Sequence, residues 1–194
     1  MSLLVSLIVS GCFLKPYPEP RSDGAAYIFK NDGIYYALFP RTFSSVFIPC
    51  GRDSSVKINL DRKIVLDKEK VFRESYYKFI VEPAEKLHPD SSGYITEYPG
   101  DYMVTKQVTK HEYLRRMRTQ YKTSIAWDRQ YLGFINSKTD TILIINMVDP
   151  DEFSRDGLGE NWSSGCDGAY NYFETVAFNL SDFSITYDCC EAIK

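Results

Sequence analysis

The eight residues Thr141-Ile142-Leu143-Ile144-Ile145-Asn146-Met147-Val148 are apolar almost throughout. A strand with one wet face alternates polar and apolar residues, because successive side chains point to opposite sides of the sheet. A run without that alternation belongs to a strand covered on both faces. The segment is expected to be the central strand of a sheet. Shorter β-branched or aromatic runs surround it in sequence, at 26–30, 34–39, 46–48, 56–60, 63–66, 76–81, 94–98, 125–127 and 131–135. Asp, Gly, Pro and Ser punctuate them, which is the pattern of strands separated by turns. Asn31-Asp32-Gly33, between the first two, marks a hairpin, since Asp-Gly supplies the positive φ of a tight turn. A last hairpin is expected from 169–178 and 182–187, turning through Asn179-Leu180-Ser181.

Composition agrees with a sheet. Fifteen Tyr and twelve Phe stand against eleven Gly and nine Pro, a balance that favours strands and opposes disorder. With 194 residues, 44% of them hydrophobic, the chain can bury one sizeable core. One helix is predicted over 109–121, with Thr109 as N-cap and Glu112 as its capping-box partner three residues on. Leu114, Met117 and Tyr121 give it a single narrow apolar stripe, so it should lie on a surface. The expected fold is mainly β, or α+β: an antiparallel sheet or sandwich with one surface helix near 109–121, in a single domain over 25–194.

The N-terminal run Ser2-Leu3-Leu4-Val5-Ser6-Leu7-Ile8-Val9-Ser10-Gly11-Cys12 is apolar and closes on small residues before a cysteine, as an export signal does. It is too short to span a bilayer, which takes about 20 apolar residues. Residues 13–24 then alternate Pro16, Pro18 and Pro20 with polar residues, so neither ladder nor helix runs through them and they read as a tether. Val9-Ser10-Gly11-Cys12 resembles a bacterial lipobox. That resemblance implies cleavage of residues 1–11, lipidation of Cys12 and anchoring to a membrane in the periplasm. Phe13 in place of an aspartate after Cys12 further implies the outer membrane. The departure from the pattern is that no Lys or Arg precedes the apolar run, which points to a start further upstream. The competing reading makes residues 3–9 a buried strand and Cys12 a core or disulfide cysteine.

Four cysteines remain, Cys50, Cys166, Cys189 and Cys190, and an even number in an exported protein favours disulfides. A bond between the adjacent pair would force a strained ring, so Cys189 and Cys190 are each expected to bond one of Cys50 and Cys166. Zinc is the rival reading, but the spacing of a zinc knuckle is missing. A calcium loop fits residues 149–160 poorly, because Ser154 occupies the place where the turn needs Gly. No metal and no cofactor are expected.

The charges are unevenly spread. Residues 106–129 carry +5 and residues 149–194 carry −8, two surfaces of different sign for a partner. Lys110, Arg115, Arg116, Arg118, Lys122 and Arg129 could meet phospholipid head groups or an acidic partner, or form a solvated helix face. Nucleic acid is not an expected partner of an exported chain with one basic stretch. Catalytic signatures are missing: His88 and His111 are the only histidines and read as surface residues, with neither a His-Glu-x-x-His nor a Gly-x-Ser-x-Gly motif.

Three functional classes fit these features: a module that binds another protein, a structural or assembly lipoprotein of the envelope, and an enzyme with an unmarked site. The lipobox, the Pro-rich tether and the aromatic hairpin of residues 26–39 together resemble small lipoproteins described as type VI secretion immunity proteins. That resemblance covers about the first fifth of the chain and implies a protein that neutralises a delivered toxin. A non-catalytic binding protein is the expectation. Its contact is expected on the acidic loop, where Phe153 and Trp162 would be aromatic anchors among Asp151, Glu152, Asp156 and Glu160.

Overall fold

The computed structural model describes residues 26–43, 56–97, 104–151, 157–159, 162, 169–170 and 173–194. Along them the chain forms β1 (Tyr27–Asn31), β2 (Ile34–Leu38), β3 (Lys57–Ile58), α1 (Arg62–Ile80), α2 (Glu82–Glu85), β4 (Ser92–Glu97), β5 (Val104–Thr109), α3 (Lys110–Ser124), β6 (Asp128–Ile135), β7 (Thr141–Val148), β8 (Ala169–Tyr170), β9 (Phe173–Asn179), β10 (Ile185–Thr186) and α4 (Cys189–Ile193). The main sheet has the order β1-β2-β6-β7-β9-β10, with β3 also pairing β6 and β8 also pairing β9. β7 lies between β6 and β9, antiparallel to both, and is buried from Ile142 to Val148. The run without alternation is the central strand.

Both faces of the sheet are covered. On one, Leu143, Ile145 and Met147 pack with Tyr36, Tyr131, Val176 and Phe178 beneath Val65, Phe72, Tyr76 and Ile80 of α1. On the other, Ile142, Ile144 and Val148 pack with Phe39, Leu132 and Phe134 against Leu158, Trp162 and, from α4, Cys189 and Ile193. The fold is therefore α+β with a largely antiparallel sheet. β2 and β6 are the exception, a parallel pair. Parallel neighbours need a long crossover, and this one carries α1, α2, the β4–β5 pair and α3.

The hairpin β1–β2 turns as Asn31-Asp32-Gly33 predicts, with left-handed φ of 48° at Asp32 and 87° at Gly33. The predicted helix at 109–121 is α3, whose N-cap Thr109 accepts a hydrogen bond from the Glu112 backbone at 3.3 Å. The expectation of a single helix needs correction. Residues 63–66 and 76–81, read as strands, are the two ends of the 19-residue helix α1. Its buried residues Val65, Phe72, Tyr76 and Ile80 form one helical stripe, and Asp61 caps it by accepting from the Lys63 backbone at 2.6 Å. Residues 125–127 form a turn ahead of β6 rather than a strand.

The cysteine pairing needs correction too. A helix starts at Cys189, its N-cap Asp188 accepting from the Glu191 backbone at 2.9 Å. Neighbours on a helix point about 100° apart. Cys189 turns into the core as a fully buried thiol, whereas Cys190 is disulfide-bonded. Cys50, Cys166 and the lipidation candidate Cys12 lie outside the described residues. A thiol reagent is thus expected to label Cys189 only after unfolding, read on its own peptide by mass spectrometry; labelling of the native chain at that residue would contradict this burial. Among the described residues no helix is long and apolar enough to cross a membrane.

Candidate functional sites

A cleft of about 860 Å³ opens between the β1–β2 turn, the middle of α1 and the C-terminal end of α3. Tyr36, Glu69, Arg73 and Tyr121 are among its lining residues. The placement follows from local structure. Glu69 and Arg73 stand one helical turn apart on α1, and the Arg73 Nε donates to Glu69 Oε1 at 2.8 Å. The second carboxylate oxygen accepts from the Tyr131 hydroxyl at 3.1 Å, and Arg129 Nη2 lies 3.7 Å from Oε1.

Arg129 is fully buried on β6. Its Nη1 donates to the carbonyls of Ser124 at 2.8 Å and Trp127 at 2.6 Å, and its Nη2 to that of Ile125 at 3.0 Å. The last carbonyls of a helix have no partner within it, so this guanidinium caps α3 from inside the protein. Burial pushes the Tyr36 phenol up, with the charge of Glu69 adding to it and the arginines opposing. Burial and the Glu69 charge also hold Tyr131 well above its ordinary range. Burial disfavours charge on Arg73, but its hydrogen bond to Glu69 and that carboxylate's charge outweigh it and raise its pKa. The floor of the cleft is thus a charged arginine beside a neutral phenol.

A second polar group sits under α3. The buried Glu174 carboxylate accepts from Ser124 Oγ at 2.7 Å, Gln120 Nε2 at 3.2 Å and the Tyr187 hydroxyl at 2.5 Å. Burial, followed by the charge of Glu174, raises the pKa of both Tyr187 and Tyr76. On the opposite face, Asn146 donates to Gln130 at 2.7 Å and accepts from Thr175 at 3.0 Å, while Gln130 donates to the Leu158 carbonyl at 2.8 Å. These networks bond α3 and the Leu158 turn to the sheet.

β4 and β5 form their own two-stranded sheet, carried on α3. The register pairs Tyr94 with Gln107 and Thr96 with Thr105. Gly93 faces the helix: a Cβ there would lie 2.3 Å from the Tyr113 ring, so only glycine lets the ribbon sit so close. Alternation then turns Ser92, Tyr94 and Thr96 outward with Gln107 and Thr105. Tyr94 is 66% exposed, Gln107 donates to Ser92, and the Thr96 and Thr105 hydroxyls are 3.2 Å apart.

Of the residues expected to form the acidic contact, only Asp151 and Trp162 lie among the described residues. Asp151 is exposed, but Trp162 is 3% exposed and packs edge-on against Phe39, with ring centroids 5.6 Å apart. Trp162 is corrected from surface anchor to core residue, because the apolar face left open by β2 and β6 accepts it. Glu152, Phe153, Asp156, Glu160 and Cys166 lie outside the described residues. His88 and His111 are exposed.

The basic stretch is also less open than its composition implies. Arg129 is interior, Lys110 Nζ donates to the Glu85 and Leu87 carbonyls, and Arg118 pairs with Glu85 at 2.9 Å. Arg115 and Arg116 both bond Glu112, and those bonds hold its carboxyl down at about 2. Among the described residues no cluster of three His, Cys, Asp or Glu side chains is placed to hold a metal. The ribbon and the cleft had no motif to announce them, since the cleft joins Tyr36 to two residues of an unrecognised helix. Comparison with known protein families, with curated proteins and with solved structures finds no match.

Proposed function

We propose that the chain is a lipid-anchored periplasmic binding protein that neutralises a delivered toxin, and that it grips its partner through the outward face of β4 and β5. What supports the protein-binding part is the ribbon itself. A two-stranded ribbon is marginal in water, and this one places little more than Gly93 and Ile95 inside the protein. Its outer face is Tyr, Thr, Ser and Gln, the side chains of adaptable recognition surfaces: a rigid ring supplies area at small entropic cost, and hydroxyls and amides adapt their hydrogen bonds. Among the described residues both strands also keep an outer edge to which a partner strand could add. The lipid anchor and the toxin rest on the lipobox and the N-terminal layout.

The test uses the full chain and the product of a secreted-toxin gene neighbouring its own. Tyr94→Ala is expected to weaken binding about 30-fold or more, roughly 2 kcal/mol, with an unchanged circular dichroism spectrum. Asp151→Lys is expected to alter mainly the association rate. If Tyr94→Ala binds like the parent while Asp151→Lys abolishes binding, the acidic loop is the contact and the ribbon is not.

A further inference from the structure

The floor of the cleft carries one guanidinium and one carboxylate, Arg73 and Glu69, and the fully buried Arg129 lies behind them. Glu69 serves both Arg73 and Arg129, and Arg129 spends its remaining contacts on neutral carbonyls. Arg73, Arg129 and Glu69 together therefore carry one net positive charge at a partly desolvated site, where a counter-charge is worth more than in water, while Lys70 and Lys122 balance Asp32 and Glu74 among the other lining residues. At the rim, Glu74 stands 3.9 Å from Lys70, Asp32 accepts from the Asn31 amide at 3.1 Å, and Lys122 adds a further cation.

Arg73 reaches the cleft with a side chain 34% exposed and is fixed in direction by its Glu69 bond. Beside it, Tyr36 also lines the cleft. An Arg fork next to a phenol that keeps its proton is a carboxylate receptor. Above this floor the walls include Leu66, Ile125 and the Tyr121 ring. Apolar walls with a few fixed polar groups are the usual make-up of a small-molecule site, and the volume is of that order.

We propose that the cleft binds a small organic carboxylate with an apolar or aromatic body, its anion on Arg73 and Tyr36 and its body against Leu66, Ile125 and Tyr121. The carboxylate can belong to a free acid or to the C-terminus of a peptide. The proposal stands apart from the ribbon and does not depend on it.

The experiment titrates the full chain with 3-phenylpropionate, with 3-phenylpropionamide and with a short peptide ending in phenylalanine, as free acid and as C-terminal amide. Binding is followed by calorimetry and by NMR shifts of the tyrosine rings. The free acid is expected to bind with a Kd on the order of 1 mM or below, and its neutral amide about tenfold more weakly or not at all. Tighter binding of the free-acid peptide than of phenylpropionate assigns the site to chain ends, and the reverse assigns it to free acids. Arg73→Gln should abolish the preference for the acid. Should that variant fail to fold, Tyr36→Phe decides in its place, with binding of the acid expected to weaken severalfold. Equal binding of acid and amide, no binding of either acid, or an acid preference that survives substitution overturns the proposal.

Discussion

Replacing Arg129 with methionine is expected to remove about 3–5 kcal/mol of stability, the cost of breaking a buried hydrogen-bonded charge network from one side. The side chain is fully buried and bonds three carbonyls at the end of α3. Methionine fills much of the space but leaves those carbonyls desolvated without donors. Arg129→Lys keeps the charge and loses the fork, so it should fall between the parent and Arg129→Met. Urea unfolding of all three, followed by circular dichroism, checks the order. A loss below about 1 kcal/mol for Arg129→Met would put the residue among ordinary surface ion pairs and contradict its role as an internal cap.

Phe72→Ala should cost about as much, roughly 3–5 kcal/mol, for a different reason: a large buried ring is removed and a cavity remains. Phe72 is 1% exposed, packs edge-on against Phe178 at 5.5 Å and stacks near Tyr76 at 5.7 Å. The Arg129 guanidinium lies 5.9 Å from its ring centre, so the two substitutions share a neighbourhood and should not add. Thermal melts and urea unfolding of the single and double variants would show this. If Phe72→Ala unfolds as readily as a surface substitution would, α1 does not cover the sheet as described.

What could be read from the sequence was local. The Asp32-Gly33 turn, the Thr109 cap of α3 and the unbroken apolar run of β7 each have their cause within a few residues. α1 escaped because its stripe of Val65, Phe72, Tyr76 and Ile80 is hidden by end segments rich in β-branched and aromatic residues. Those segments carry strand propensity, and a weak local preference yields to packing. The cleft was invisible for the same reason one level up. Tyr131 and Glu69 bond across 62 positions of sequence, and nothing near either residue specifies the other. Trp162 went the other way: in sequence it stands among acids and glycines, and its tertiary neighbour Phe39 draws it inward. Cys189 and Cys190 were assigned the same fate because an even cysteine count implies that all four pair, and nothing local to Cys189 shows that its helix turns it into the core.

The proposed binding surface is tested most directly by hydrogen–deuterium exchange of the full chain, free and in complex with the proposed partner. Amides of Ser92–Glu97 and Val104–Thr109 are expected to exchange readily in the free protein, as in a ribbon with little buried surface, and to slow markedly in the complex. Unchanged exchange across both strands, with protection appearing around Asp149 to Asp151 instead, would contradict it.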